Sequence, residues 1–194
     1  MRSERLNSFI LANSEKCIGC KTCEIACALA HAEPKPNTAG ATDGPLIPRV
    51  YVMRTPEITV PIQCRHCEDA PCANVCQMLA ICRVDGKILV DTERCVGCKL
   101  CLMACPFGAI ELVPQHRGAR PIYSRILEEE ENWAGKRLYR ANKCDLCNGR
   151  NEGPACVLAC PQKALDRVDP VTESRKRNAE AVASLLECAE GLGA

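Results

Sequence analysis

The sequence is poor in aromatic residues, with one tryptophan, three tyrosines and two phenylalanines among 194 residues. A conventional hydrophobic core would therefore be thin. No apolar run approaches the roughly 18 residues needed to cross a bilayer. The N-terminal stretch MRSERLNSFILANSEK has no apolar h-region, no small-residue cleavage site and no twin arginine. These absences predict a cytoplasmic protein without direct membrane insertion.

Several sequence signatures of enzymes are missing as well. There is no G-x-G-x-x-G, no P-loop and no flavin fingerprint, and no acid–base pair stands in a recognisable substrate setting. Lysine and arginine (25) balance aspartate and glutamate (24), and no basic stripe is interleaved with aromatic residues, which argues against nucleic-acid binding. We therefore expect no substrate site and no catalytic residues.

Cysteine, by contrast, is abundant, and 16 of the 18 cysteines fall into four quartets. The first and third quartets have the spacing C-x2-C-x2-C-x3-C, the second C-x2-C-x4-C-x3-C and the fourth C-x2-C-x8-C-x3-C. In chain order the members are Cys17, Cys20, Cys23, Cys27; Cys64, Cys67, Cys72, Cys76; Cys95, Cys98, Cys101, Cys105; and Cys144, Cys147, Cys156, Cys160. Cys82 and Cys188 remain outside the quartets.

The spacing of the quartets favours iron–sulfur clusters. Disulfides belong to oxidising compartments, which the N-terminal stretch does not predict. Three cysteines at i, i+3 and i+6 wrap one loop around a cluster, and the fourth ligates the other cluster in two-cluster ferredoxins. Zinc sites more often show two C-x2-C pairs separated by a longer stretch. We predict four [4Fe–4S] clusters and no ligand role for the histidines His31, His66 and His116.

The quartets also reveal a duplication. CIGCKTCEIAC matches CVGCKLCLMAC at an offset of 95 − 17 = 78, and the second and fourth quartets match at 144 − 64 = 80. The alignment places Cys82 opposite Asp166, which predicts a surplus, semi-buried side chain. Gln77, which follows the second quartet, aligns with Pro161, which follows the fourth. Glutamine has an N–H that proline lacks, and this N–H would be placed to reach a cluster sulfur.

Around the quartets, the sequence predicts short strands and small helices that follow the fourth cysteines, an α+β arrangement. Strands near 81–84 and 87–91 with an Asp85-Gly86 turn form a predicted hairpin. Residues 33–48 are a Pro/Gly-rich connection and a predicted exposed loop. An insertion at 114–139 contains the acidic run Glu128–Glu131 and Trp133, which form either a solvated face or a docking surface for a partner.

Basic residues stand beside the quartets, either as general surface charge or to raise the potentials of anionic clusters. They are Lys16, Lys21, Arg65, Arg94, Lys99 and Lys143.

The C-terminal residues 169–194 predict an amphipathic helix, with Asp169-Pro170 at its start and Gly191 at its stop. Its apolar stripe is Val182, Leu185, Leu186 and Ala189, and its acidic residues are Glu173, Glu180 and Glu187. The stripe packs either on the chain's own ferredoxin domain or on another subunit or another copy of the chain.

The motifs KCIGCKTCEIAC, CRHCEDAPCANVC, CKLCLMACPFGAIE and NKCDLCNGRNEGPACVLACPQKAL resemble a known family. They are similar to the four-cluster ferredoxin subunits of dimethyl sulfoxide reductase-type oxidoreductases and hydrogenases. The small iron–sulfur subunits of formate hydrogenlyase and hydrogen-dependent carbon dioxide reductase are especially similar. The resemblance runs from about residue 9 to 169, and it departs from the subgroup at Gln77, where proline is usual.

The resemblance implies a duplicated, bacterial-ferredoxin-like polyferredoxin with two two-cluster lobes in residues 1–168. The outer lobe comes from about 9–32 and 140–168, and the inner lobe from about 49–113. The implied ligands interleave: Cys17, Cys20, Cys23 with Cys160; Cys144, Cys147, Cys156 with Cys27; Cys64, Cys67, Cys72 with Cys105; and Cys95, Cys98, Cys101 with Cys76.

The implied function is to relay single electrons between a formate dehydrogenase-like and a hydrogenase-like subunit. A β-subunit of another molybdopterin or carbon monoxide dehydrogenase-linked oxidoreductase, a free polyferredoxin and a structural metal module are the alternatives. Further iron–sulfur subunits are possible partners too.

Overall fold

The fold is described from a computed structural model over residues 6–33, 35–36, 40–42, 44–124 and 136–191. The acidic run Glu128–Glu131 and Trp133 lie outside these residues. The described residues of the 33–48 connection form no helix or strand, and about half of them are exposed and the others half-buried. This connection is therefore less exposed than the sequence predicts.

Short helices and two-stranded antiparallel sheets make up the described chain. The helices are α1 (Thr22–Ala30), α2 (Pro71–Asn74), α3 (Leu100–Ala104), α4 (Ala155–Ala159) and α5 (Pro170–Gly191). The strands are β1 (Phe9–Ala12), β2 (Val50–Arg54), β3 (Thr59–Gln63), β4 (Ile81–Val84), β5 (Lys87–Val90), β6 (Glu111–Pro114), β7 (His116–Arg117), β8 (Arg120–Pro121), β9 (Tyr123–Ser124), β10 (Lys136–Arg137), β11 (Tyr139–Asn142) and β12 (Leu165–Val168).

The strand pairs combine pairs of consecutive strands with two pairings of separated strands, β6·β11 and β1·β12. The pairs are β1·β12, β2·β3, β4·β5, β6·β11, β7·β8 and β9·β10. In β4·β5, Ile81 faces Val90, and the turn residues Asp85 and Gly86 both have positive φ, which confirms the predicted hairpin. In β1·β12, Phe9 faces Val168, so strands from opposite ends of the chain meet.

Corresponding elements recur at the offsets of the cysteine repeat. β1 and β5, like α1 and α3, start 78 residues apart (87 − 9, 100 − 22), and β3 and β11 start 80 apart (139 − 59). The pairs α2 with α4 and β4 with β12 are 84 apart (155 − 71, 165 − 81), because the fourth quartet has four more residues in its middle spacer. The repeat extends to loop bonds, since Asn13 N donates to Ala164 O (2.8 Å) as Asp91 N does to Ala80 O (2.7 Å).

Each short helix contains the third cysteine of its quartet, so the predicted position after the fourth cysteine is wrong. The third and fourth cysteines are four residues apart in every quartet, which is about one helical turn. Pro106 and Pro161 disfavour the helical region for the residue before them. Cys105 and Cys160 are accordingly extended, with ψ of 114° and 112°, and their helices end there.

Two small clusters of buried residues form the core, and cysteines supply a large share of both. The first contains Ile10, Val50, Leu146 and Leu165 with five cysteines: Cys23, Cys27, Cys64, Cys144 and Cys156. The second contains Ile81, Ile88 and Ile110 with three cysteines: Cys72, Cys95 and Cys101. The scarcity of aromatic residues thus leaves a core built around thiols.

Helix α5 begins where the sequence predicts. Asp169 Oδ1 accepts bonds from Val171 N and Thr172 N, both 3.1 Å, which caps the first turn. Val182, Leu185 and Leu186 are exposed, so these apolar residues do not pack on the described chain. None of the described helices combines the length and apolarity needed to cross a membrane.

Candidate iron–sulfur cluster sites

Four thiols, which we call the outer end group, line one small pocket. Its lining includes Cys17, Cys20, Cys23 and Cys160, with Pro61 and Leu165 as apolar walls. Burial raises the pKa of the Cys23 thiol to about 11, and charge on Cys160 contributes. The fourth cysteine of the last quartet thus meets three cysteines of the first.

A second pocket is lined by four further cysteines, which we call the inner end group: Cys76, Cys95, Cys98 and Cys101. Burial raises the pKa of Cys101, and charges on Cys95 and Cys98 raise it further. Here too, one quartet contributes three thiols and another contributes its fourth.

The other eight quartet thiols line neither of these two pockets. Burial is the main cause of the raised pKa of Cys156, and the thiols of Cys144, Cys27 and Cys147 add to it. Burial likewise raises the pKa of Cys67, with contributions from Cys64 and Cys105. The pKa of Cys72, raised by burial to about 11, is raised by charge on Cys64 and Cys105 as well. We call these two sets the middle thiol groups.

Neighbouring groups adjoin in a row. The pKa of Cys156 responds to Cys23 of the outer end group, and that of Cys72 to Cys101 of the inner end group. The two middle groups also adjoin each other. Burial raises the pKa of Cys144, in one group, to about 12, and charge on Cys64, in the other group, contributes. These contacts therefore connect the groups in the order outer end, two middle groups, inner end, and the shared buried clusters agree.

Backbone N–H groups point at the fourth thiol of three quartets from four residues further on. The bonds are Ala80 N to Cys76 Sγ (3.3 Å), Ala109 N to Cys105 Sγ (3.4 Å) and Ala164 N to Cys160 Sγ (3.2 Å). Such bonds stabilise a negatively charged sulfur. Cys76 Sγ accepts its bond from Ala80 N, and a contact from Gln77 to a cluster sulfur stays a prediction.

The first quartet departs from this pattern because Ala28 follows Cys27 and α1 continues to Ala30. Arg49 N donates to Cys27 Sγ (3.3 Å), and His31 Nδ1 lies 3.7 Å from the same sulfur and 2.8 Å from Cys27 O. His31 Nε2 lies 2.9 Å from Asp145 Oδ1, and Arg49 pairs with Asp145 Oδ2 at 2.7 Å.

This ion network shifts the pKa of two of its members in opposite directions. Burial lowers the pKa of His31, but the bond to Asp145 and the contact with Cys27 outweigh it and raise the value to about 9. Burial raises the pKa of Asp145, but His31 and Arg49 hold it well below its usual range. Cys147 lies within 4.8 Å of both residues. Both carboxylate oxygens are already engaged, so the set is an ion network rather than an additional metal site.

The other histidines have structural partners. His66 is buried, and its Nδ1 accepts a bond from Ile88 N at 2.9 Å. Burial, followed by the charge of Lys143, lowers its pKa to about 3. His116 Nδ1 lies 3.0 Å from Pro114 O. Neither belongs to a thiol group.

The tight quartets turn through backbone conformations that the sequence only partly signals. Gly19 and Gly97 have φ of +71° and +72°, and the lysines Lys21 and Lys99 also lie at positive φ, +60° and +73°. An ideal Cβ on Gly97 would lie 2.6 Å from Tyr139 O. Glycine is therefore required at 97 by both conformation and space.

The two surplus cysteines are accessible. Cys82 in β4 and Cys188 in α5 are exposed. The prediction of a semi-buried Cys82 is wrong, because in β4 only Ile81 is buried and Cys82 is exposed together with Arg83 and Val84.

Two family models, both described as "4Fe-4S binding domain", match residues 88–111 and 14–30. The chain is 47% identical over 164 residues to "Electron transport protein HydN" of Escherichia coli (strain K12), covering 84% of this chain and 89% of that protein. This chain belongs to the 4Fe-4S ferredoxin-type electron-transfer family. Another member, "Formate hydrogenlyase subunit 2" of the same strain, is 41% identical over 184 residues, covering 84% of this chain and 83% of that protein.

Membership of this family agrees with the chemistry of the donor set. The thiols are gathered in groups, and sulfur is the ligand that iron–sulfur clusters use. Cluster binding requires thiolates, so the raised thiol pKa values mean that assembly releases protons. The chain is thus a 4Fe-4S protein of the electron-transfer type.

Proposed function

We propose that the chain carries four [4Fe–4S] clusters and relays single electrons, without a substrate site of its own. The carrying observation is the row of four thiol groups, each with four cysteines. The ligand sets are the interleaved ones: the outer end group, the middle group of Cys144, Cys147, Cys156 and Cys27, the middle group of Cys64, Cys67, Cys72 and Cys105, and the inner end group. The outer end group and the middle group with Cys144 form one two-cluster lobe of a duplicated α+β ferredoxin-like domain in residues 1–168, and the inner end group and the middle group with Cys64 form the other.

The partners we propose are a formate dehydrogenase-like and a hydrogenase-like subunit in the cytoplasm. Similarity to a protein named formate hydrogenlyase subunit 2 supports this assignment. Apolar side chains beside the end groups support docking at both ends of the row. Ile18 is exposed at the outer end, and Met78, Val96 and Leu100 are exposed at the inner end. The three inner residues line the same pocket, and grouped exposed apolar side chains are typical of interaction sites.

The metal content of anaerobically purified protein tests the cluster count. We expect about sixteen iron and about sixteen sulfide per chain, four of each per cluster. Reproducible reconstitution at about half that iron, or stoichiometric zinc, would contradict four clusters. Apo protein should be largely unfolded, because the core is built around the thiols.

Purification of the tagged full chain from its own cells tests the partners. We expect the two catalytic subunits to co-purify with it. Recovery of a different molybdopterin or carbon monoxide dehydrogenase-type subunit would favour the alternative oxidoreductase, and recovery of the holo chain alone would favour a free polyferredoxin.

The C-terminal helix is proposed to dock another subunit or another copy. Val182 and Leu186 lie on one face and are exposed. Replacing both with lysine, or ending the chain after Val168, should preserve iron content and abolish assembly in mass photometry. Ser184→Lys, about 200° from Val182 around the helix, is the control and should assemble normally. Normal assembly of the double variant would contradict docking through α5.

A further inference from the structure

Lys143 places a basic side chain where the two buried clusters of the core meet. Its side chain is 3% exposed. Its Nζ donates to Ile88 O, in the second core cluster, and to Cys144 O (2.8 Å), in the first. Of the six basic residues beside the quartets, Lys143 is the buried one. It therefore lies inside the protein rather than on a solvated face.

No carboxylate balances this buried side chain in the described part of the chain. The ion pairs formed there do not include Lys143, and its two bonded acceptors are neutral carbonyls. A buried ammonium is costly unless negative charge lies close to it. Four thiolates around an oxidised cubane core leave about two negative charges per cluster. The neighbouring thiol groups are the natural source of that balance once clusters are bound.

The repeat contains a neutral counterpart of Lys143. Gln63, 80 residues earlier, is also buried, and its Nε2 donates to Ile10 O at 2.9 Å. Ile10 itself corresponds to Ile88, 78 residues later. The same side-chain-to-backbone bond therefore occurs in both halves, with an amide in one and an ammonium in the other. The bond does not require a charge, so the charge of Lys143 is an additional feature.

Lys143 acts on two different thiol groups. Its Nζ bonds to Cys144 O in the first core cluster and to Ile88 O in the second core cluster, which also contains Cys72. Cys72 belongs to one middle group and Cys144 to the other. A positive charge at this place favours negative charge on both.

We propose that Lys143 raises the reduction potentials of the two middle clusters above those they would have with a neutral residue. The proposal rests on the four-cluster relay proposed above. Each cluster takes up one electron, from the 2+ to the 1+ core, and gains one negative charge. The ammonium stabilises that reduced form, whereas the end clusters lie one group further away. The charge of Lys143 consequently shifts the distribution of delivered electrons toward the two middle clusters.

Lys143→Gln, which installs the residue found at position 63, tests this role in the full-length holoprotein. We expect wild-type iron content and a fall in two of the four potentials in an EPR-monitored redox titration. The fall should be about tenfold in the equilibrium constant for reduction, or about 59 mV for a one-electron couple. Arg94→Gln is the matched control, because Arg94 precedes the first cysteine of its quartet but is exposed. It should move the potentials less.

The outcomes separate this proposal from the relay itself. Wild-type protein with fewer than four clusters would contradict the relay, whatever Lys143 does. Four clusters with unmoved potentials in Lys143→Gln would overturn the role of Lys143 alone. Should Lys143→Gln lose iron, Gln63→Lys decides the question, because it retains Lys143 and adds a second charge. It should raise potentials, and unmoved potentials or loss of clusters there would overturn the proposal.

Discussion

Cys27 and Cys105 occupy corresponding places in the two halves of the chain, 78 residues apart, but the chain leaves them differently. Pro106 ends α3 at Ala104, and the backbone turns so that Ala109 N bonds to Cys105 Sγ. Ala28 lets α1 continue, and the position corresponding to Ala109 is His31, which contacts Cys27 and Asp145. The halves thus share a thiol scaffold and differ in the charges placed around it.

The second difference concerns the residue after the first cysteine of the looser quartets. Arg65 in the inner quartet donates to Ile10 O (3.2 Å), whereas Asp145, 80 residues later, accepts from His31 and Arg49. The sign of the charge is therefore reversed between equivalent positions. Duplication preserved the spacing that gathers the thiols and left neighbouring residues free to diverge. Each thiol group therefore has its own electrostatic surroundings, even where the cysteine spacing is the same.

Removing the fourth thiol of an end group should have the largest effect on cluster content. Cys76→Ser and Cys160→Ser should each damage one end cluster, at opposite ends, because each group has four thiols. Iron content should fall by up to about a quarter in both variants. Cys82→Ser is the control and should retain all iron, since Cys82 is exposed and outside the groups. Loss of a cluster from that control would mean that the alignment of the repeats is wrong.

Ala28→Pro should make the first quartet resemble the third. Proline removes a helical N–H and drives Cys27 out of the helical region, so α1 should end early at a cost of about 3 kcal/mol. His31 would then leave Asp145. We expect a lower temperature for loss of the visible cluster absorbance. Ala30→Gly, which perturbs the same helix without fixing φ, should cost about 1 kcal/mol. An equal fall in this temperature in both variants would mean that general weakening of α1, rather than the changed path after Cys27, causes the effect.

Replacing Gly19 or Gly97 with alanine adds a single atom, Cβ, at equivalent positions in the two halves. At Gly97 the new Cβ would meet the Tyr139 backbone at 2.6 Å, whereas at Gly19 it would lie 3.1 Å from the Arg54 side chain, which can move. Both also incur about 1–2 kcal/mol for positive φ. Gly97→Ala should therefore lose absorbance at a lower temperature than Gly19→Ala. Gly108→Ala has positive φ but open space, and it isolates the conformational cost.

Replacing Asp169 should have the smallest effect, because only the stability of α5 should change. Its pKa is lowered chiefly by the Thr172 N–H bond, so the cap contributes fully above the usual value of 3.8 and is lost as pH falls below it. Asp169→Ala should cost the helix about 1 kcal/mol, with Asp169→Asn much closer to wild type. Circular dichroism should show this difference unchanged between about pH 5 and about pH 8. A difference that appears only at high pH would contradict the capping role.

The sequence predicted the features that depend on spacing or local chemistry. The quartets, the Asp85-Gly86 hairpin and the start of α5 at Pro170 all have short-range signals. The small helices were predicted after the fourth cysteines and lie over the third instead, because the C-x3-C spacing itself spans about one helical turn. It did not predict that Lys143 is buried or that His31 meets Asp145. Those features depend on contacts between residues 55 and 114 positions apart, which no local pattern specifies.

The pairing of β1 with β12 also determines when each part of the molecule can form during synthesis. The thiols of the inner end group and its neighbouring middle group lie within 42 consecutive residues (105 − 64 + 1), so they can gather while the rest of the chain is still on the ribosome. The outer end group has to wait for Cys160. Cys17, Cys20 and Cys23 remain unmatched for more than 130 residues of translation (160 − 23 = 137), exposed to oxidants and stray metals. Cluster insertion should therefore proceed from the middle of the sequence outward.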